Sequence, residues 1–183
     1  MAARITLMTT IKHSKGLSEK LMQKKDFNLS DDGCLYVTEI GISEITNWGW
    51  HFADKNPSVT LRFVRGNKMK TVETLFDEFS AALQFPYYFG GNWGAFGECV
   101  ADLDWLLGEA CIVVITDSDQ LFEDEPLDEL NILIECFEEA RKELKRENKS
   151  FFVIFHYGEN KRNSKDKLKS IATDFQEIHL QSV

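Results

Sequence analysis

The sequence predicts an α/β domain with a small, mainly parallel three-stranded sheet and helices packed on it. Apolar, β-branched runs at 59–64, 110–116 and 151–157 predict the three strands. The segments between them carry apolar residues at helical spacing, and strands joined through helices imply crossover connections. With 183 residues, 43% of them hydrophobic, the chain is long enough to bury a substantial core.

Residues 1–57 are predicted to form an N-terminal extension, because Asn56-Pro57-Ser58 is the most natural boundary. Its pattern predicts strands over 4–11 and 34–38 and a polar helix over 18–25. Ile45, Trp48 and Phe52 predict a short helix, which Gly49 weakens. Burial of Trp48 and Trp50 against the main core is favoured over a recognition pair. The extension either widens an interface or covers the sheet edge.

Residues 58–158 are predicted to form the main domain. Thr71 is a good N-cap for a helix whose apolar stripe ends at Phe85, and Asn92 is a plausible N-cap for a second helix. A third, long helix is predicted over 127–146, with many glutamates on its outer side.

Residues 159–183 are predicted to form a tail with an amphipathic helix. The apolar residues at helical spacing are Leu168, Ile171, Phe175 and Ile178. Docking of this helix on the domain is favoured, and a free partner-binding helix is the alternative.

The net charge of −9 is unevenly placed. Residues 98–147 contain 16 acidic and 4 basic side chains, a net charge of −12, so the rest of the chain sums to +3. Such a block disfavours nucleic acid as a partner and suits a basic protein. Ordinary solubility would also explain it.

The sequence contains no apolar run long enough to span a membrane and no signal-peptide pattern at its start. The four cysteines form no CxxC pair, and the scattered histidines suggest no metal ligand set. We therefore expect a cytoplasmic protein with reduced thiols, no cofactor and no membrane association.

The stretch from Phe85 to Leu106 combines an aromatic loop with an acidic helix. Three consecutive aromatic residues precede the Gly90–Gly91 pair, and helical periodicity begins at Asn92. Glu98 and Asp102 stand four residues apart on one face. This combination predicts a binding site.

This stretch is similar to the signature of the barstar family, small intracellular protein inhibitors of secreted ribonucleases. Similar pieces at 63–72, 112–115, 137–141 and 151–155 extend the resemblance over about 58–157. The residues that carry it are Pro86, Tyr88, Phe89, Gly90, Asn92, Trp93, Gly94, Ala95, Phe96, Glu98, Cys99, Val100, Asp102 and Leu103.

The resemblance implies an immunity protein or antitoxin that occludes the active site of a basic toxin nuclease, most simply a ribonuclease, in a 1:1 complex. Glu98 would be the central carboxylate, Asp102 would flank it, and Asp104 would be a rim contact. The other implied partner-binding residues are Tyr87, Tyr88, Gly90, Asn92, Trp93, Gly94 and Glu139. An interaction adaptor without a nuclease partner is the alternative function.

The chain departs from the family pattern within this helix, where Glu98 stands in place of the usual shorter aspartate and two glycines replace larger residues. Gly94 stands where the family has an aspartate, and Gly97 stands where an aromatic residue is common. Either the contact surface suits a different nuclease, or this member has lost the inhibitory site and keeps only the fold. A later start of the helix is a third possibility.

Catalysis is disfavoured by the sequence. A cysteine hydrolase would pair Cys99 with His156, but Cys99 lies beside the core face of the predicted helix, where cysteines are usually inert. Glu98 and Asp102 have no other catalytic group around them. Gly90–Gly91 lacks the Gly-Lys-Ser/Thr of a phosphate-binding loop.

Overall fold

A computed structural model of the chain describes residues 33–106 and 108–157, together with the backbone of 176–177. It shows a parallel sheet with the strand order β2-β3-β4-β1-β5. The strands are β1 Leu35–Glu39, β2 Val59–Arg65, β3 Ala110–Thr116, β4 Ser150–Tyr157 and β5 Gln176–Glu177. The helices are α1 Ile42–Lys55, α2 Val72–Leu83, α3 Trp93–Asp102 and α4 Leu127–Arg146.

The α/β class and the parallel arrangement are confirmed, but the prediction of three strands is wrong. β1 from the extension lies inside the sheet, with Leu35 opposite Val153 on β4. The two-residue strand β5 pairs with the other edge of β1. β4 is buried along nearly its whole length, so its backbone groups need hydrogen-bonded neighbours on both sides. The periodicity of residues 34–38 indicated a strand but could not identify its neighbour.

The two faces of the sheet are covered by different helices. The core on one face joins α2, α3 and α4 to alternate strand residues such as Val113 and Phe155. The core on the other face joins Ile45 and Trp48 of α1 to the intervening residues, such as Ile112. Helix α1 therefore lies on the opposite side of the sheet from α3.

Helix α1 is longer than predicted, with 14 residues. Gly49 allows its close approach to β2, since a Cβ there would lie 2.5 Å from Cζ of Phe63. Trp48 is buried and stacks on Phe52, as expected, but Trp50 is 78% exposed and does not pack against the core.

Several predictions concern residues outside the described ranges: the strand over 4–11, the helix over 18–25, and Leu168, Ile171, Phe175 and Ile178. A tail helix running through to Ile178 is nevertheless wrong at residues 176–177, which pair with β1 as a strand. The domain boundaries at 57/58 and 158/159 stay predictions. Among the described residues, no helix is both long and apolar enough to cross a membrane.

Candidate protein-binding site

In the aromatic loop after α2, the phenylalanine rings pack toward the core and the tyrosine rings are exposed to solvent. Helix α2 ends where Gln84 takes a left-handed conformation with φ 55°. The ring centroids of Phe85 and Phe89 then lie 5.1 Å apart, and Phe89 also packs 5.7 Å from the core residue Phe76. Tyr87 is fully exposed and Tyr88 is 67% exposed. Anchored phenylalanines thus hold two tyrosines out in solvent.

The entry of α3 is fixed by two side chains. Asn92 caps the helix, its Oδ1 accepting a hydrogen bond from the Ala95 N–H at 3.0 Å, as predicted. Trp93 is half-buried, and its Nε1 donates to Oε2 of Glu129 at 2.8 Å. The Trp93 ring also lies 5.1 Å from that of Phe76. Trp93, predicted as a contact residue, is therefore placed mainly as an anchor.

The predicted acidic contacts differ in their surroundings. Glu98 and Asp102 are exposed on α3, and neither forms an ion pair with another described residue. Asp104 forms an ion pair with Lys149, and Glu139 pairs with Lys142 at 3.0 Å. Glu98 and Asp102 are consequently the carboxylates best placed to meet an incoming cation.

The carboxylates of the acidic segment 117–129 largely bond to other residues of this chain. Oδ2 of Asp117 accepts from Asn67 at 3.0 Å, and Oε1 of Glu125 accepts from the Val72 N–H at 3.2 Å. Glu123 pairs with Lys70 at 2.7 Å, and Glu129 accepts from Trp93. Sequence reasoning missed Glu129, because its partner is 36 residues away and no periodicity links the two.

Gly94 is exposed on α3, and Gly97 is half-buried on the same helix. A Cβ on Gly94 would meet only Oδ1 of Asn92 at 3.4 Å, and one on Gly97 would meet Sγ of Cys136 at 3.6 Å. Both are ordinary contacts, and neither glycine has a positive φ. Packing therefore requires neither glycine, whereas Gly91 in the loop has a φ of 60°. Gly90 is exposed beside it.

The conditions for a cysteine nucleophile are not met. Cys99 is only 7% exposed, and burial raises the pKa of its thiol, with the Asp102 and Glu98 carboxylates adding to the effect. His156 is fully buried: its Nδ1 accepts from the Asp117 N–H at 3.3 Å, and its Nε2 donates to the Ile40 carbonyl at 2.9 Å. The histidine joins β4 to the ends of β3 and β1.

No group of histidine, cysteine, aspartate or glutamate within residues 33–106 and 108–157 is arranged to hold a metal ion. The loop does present two exposed tyrosines, and α3 presents two exposed carboxylates. Exposed aromatic side chains are enriched in protein–protein interfaces, and exposed charges can steer a partner of opposite charge.

A sequence model of the Barstar (barnase inhibitor) family matches residues 59–156, more than half of the chain. The chain belongs to this family, and the resemblance drawn from residues 58–157 is confirmed. The family consists of inhibitors and not of enzymes. The match contains the whole candidate site but leaves out β1 and α1.

The fold is also similar to solved structures of ORC proteins. The ADP form of ORC2 from Aeropyrum pernix has a TM-score of 0.59 at 12% identity, covering 92% of this chain and 47% of that one. The ADPNP–ADP complexes of the same protein have a TM-score of 0.56, with the same identity and coverage. Drosophila ORC bound to DNA gives 0.54 at 8% identity, covering 98% of this chain and 31% of that one. No match to this chain was found among curated proteins.

The likeness to these structures shows the fold alone, and this chain spans less than half of the length of the ORC2 chains. In P-loop proteins a strand leads into a helix through the phosphate-binding sequence GxxxxGK[ST]. Here only Ile40 and Gly41 connect β1 to α1, and no glycine in the sequence is followed by a lysine. That motif does not accompany the shared fold.

Proposed function

We propose that this chain is an immunity protein or antitoxin that inhibits a cognate toxin nuclease, a ribonuclease, by covering its active site with α3 and the aromatic loop. The observation that carries the proposal is the pair Glu98 and Asp102. Both are exposed, have no ion-pair partner among the described residues, and belong to the same loop–helix unit as Tyr87 and Tyr88. Membership of an inhibitor family supports it.

The chemistry of the partner follows from its substrate. A ribonuclease holds RNA phosphates with Arg, Lys and His, so its active site is a positive pocket. Carboxylates on a rigid helix can occupy the phosphate positions and form charge-assisted bonds, often bidentate with arginine. Barnase–barstar, the pair that gives this family its name, is itself the reference case in which truncating one such carboxylate costs several kcal/mol. The same mechanism is proposed here by family likeness.

The contact residues are expected to contribute unequally. Glu98 and Asp102 can bind a cation without first losing an ion-pair partner among the described residues. Asp104 and Glu139 must exchange Lys149 and Lys142 for the new partner, so we expect rim contributions of about 0–1 kcal/mol from them. Helix α1 lies on the other side of the sheet, so we assign to residues 33–57 of the extension the completion of the sheet and not the widening of this interface.

The proposal is tested by capture from a lysate of the producing organism with the wild type, Glu98→Arg and Asp77→Arg. Asp77 is an exposed carboxylate on α2 and serves as the matched control for charge reversal. We expect the wild type and Asp77→Arg to retain one basic protein that Glu98→Arg loses. Its nuclease activity should be absent in the complex and return on release.

Retention of the same protein by all three forms would place the interface elsewhere. Retention of a partner without nuclease activity would favour the adaptor function. The capture is made at low ionic strength, where electrostatic attraction is least screened, so retention of no basic protein there would refute inhibition of a basic nuclease.

A further inference from the structure

We propose that Glu129 is a positioning residue for this interface: as a hydrogen-bond acceptor for Trp93, it sets the orientation of the aromatic loop and of α3. This inference rests on the proposed function, because the elements that Glu129 orients are those assigned to partner binding. Glu129 lies outside the residues that the family resemblance implicates.

The hydrogen bond joins the entries of two helices. Trp93 is the first residue of α3, directly after the N-cap Asn92, and Glu129 is in the first turn of α4. The Nε1–Oε2 distance of 2.8 Å is typical of a strong bond to a carboxylate. Leu130 and Leu133 anchor the start of α4 in the core, so Glu129 holds the indole N–H of Trp93 from a buried helix.

Three aromatic rings pack around Trp93. Phe76, Phe96 and Phe122 have ring centroids 5.1, 5.6 and 6.3 Å from it. All three contacts are edge-on, and none of these phenylalanines can accept the indole N–H as a carboxylate does. The indole N–H is a donor with no acceptor capacity, so Glu129 supplies the directional restraint on a half-buried ring.

The orientation of Trp93 is transmitted to the contact residues on both sides. Toward the N-terminus, Asn92 connects it to the loop that exposes Tyr87 and Tyr88. Toward the C-terminus, Glu98 is little more than one turn along the same ten-residue helix. A binding surface that is rigid before contact loses less conformational entropy on association, so the Glu129 bond should favour affinity by preorganisation.

Two roles for Glu129 are separable by substitution. Glu129→Gln removes the charge but keeps an oxygen that can accept from Trp93, whereas Glu129→Ala removes both. Glu135→Ala is the matched control, since Glu135 is an exposed carboxylate on the same helix. If Glu129 acts by accepting the hydrogen bond, Glu129→Gln should behave like the wild type. If it acts by its charge, Glu129→Gln and Glu129→Ala should have the same effect.

The first measurement uses the uncomplexed full-length protein and the solvent exchange of its tryptophan indole protons by ¹⁵N NMR, with Trp93 assigned from Trp93→Phe. We expect Glu129→Ala to accelerate exchange at Trp93 by about tenfold, as loss of one hydrogen bond would do, and to accelerate amide exchange over residues 87–96. Glu129→Gln and Glu135→Ala should stay within about threefold of the wild type. Trp105, whose Nε1 donates to the Leu83 carbonyl at 2.7 Å, is the internal control and should not change.

The second measurement is the dissociation rate of the complex with the nuclease retained by the wild type in the capture experiment. We expect Glu129→Ala to raise it about tenfold and Glu129→Gln to leave it within about threefold. Unchanged Trp93 exchange in Glu129→Ala, or equal loss of binding in Gln and Ala while Gln keeps the indole protected, would overturn the proposal. If the wild type retains no nuclease, the proposed function fails, and the exchange measurements still decide whether Glu129 positions the loop and α3.

Discussion

Replacement of Gly97 by alanine should stabilise the protein, although Gly97 lies in the proposed contact helix. Glycine inside a helix costs about 1 kcal/mol relative to alanine. The added methyl group would lie 3.6 Å from Sγ of Cys136, an ordinary contact, and the backbone φ is not positive. We therefore expect the free energy of unfolding to rise by about 1 kcal/mol, or the Tm by about 2–4 °C.

Gly49 in α1 provides the control with the opposite sign. Alanine gains the same helix propensity there, but its Cβ would lie 2.5 and 2.7 Å from two ring atoms of Phe63 and 3.2 Å from Cδ2 of Leu61. Overpacking of this kind costs about 1–3 kcal/mol, so the net change should be a loss of up to about 2 kcal/mol.

Urea unfolding of the wild type and the two variants measures both changes, with the slope m unchanged. Destabilisation by Gly97→Ala would refute the argument that the fold does not require this glycine. If Gly97→Ala is more stable but binds the captured nuclease less tightly, the glycines belong to an altered contact surface. If no variant of the α3 surface changes binding, the interpretation of a lost site gains support.

Two further predictions concern stability. Asn92→Ala removes the side chain that caps α3 and should lower the free energy of unfolding by about 1 kcal/mol, whereas Asn92→Asp should keep most of it; equal loss in both would contradict the capping role. Glu78 bonds Arg65 through both carboxylate oxygens, at 2.7 and 2.8 Å, and this hydrogen bonding lowers the pKa of the Glu78 carboxyl. A lowered folded-state pKa contributes stability that is present above the ordinary glutamate pKa and is lost as the pH falls through the folded value. Since the Arg65 side chain is 62% exposed, Glu78→Gln should cost no more than about 1 kcal/mol at pH 7 and nothing once the carboxyl is protonated. Urea unfolding at pH 7 and in acid checks this, and an equal cost at both pH values would exclude the ion pair as its source.

Local sequence patterns predicted the main domain closely. The run ACIVVIT predicted β3 over Ala110–Thr116, and the periodicity over 127–146 predicted α4 with its bounds as found. The N-caps of α2 and α3, Thr71 and Asn92, were both predicted, because a cap and the amide that it binds are only three residues apart. Such features depend on neighbours along the chain, so the sequence contains what is needed to find them.

The candidate site was predicted only in part. The aromatic loop and the acidic face of α3 are continuous in sequence, and their residues could be named from it. The sequence could not show that Trp93 is bound by Glu129, or that Lys149 and Lys142 engage Asp104 and Glu139. Nor could it show that Glu98 has no such partner within residues 33–106 and 108–157. Formal charge is the same for a carboxylate in solvent and for one bonded across the molecule.

By itself, then, the sequence determined the class of fold, most helix and strand bounds and the stretch that carries the site, since burial periodicity and capping act over a few residues. Only the tertiary structure decided that β1 lies beside β4, that α1 covers the face opposite α3, and which carboxylates of the described residues are exposed without an ion pair there. The physical reason is that strand neighbours and ion-pair partners come from distant parts of the chain. Their choice depends on the packing of the whole domain and not on any local pattern.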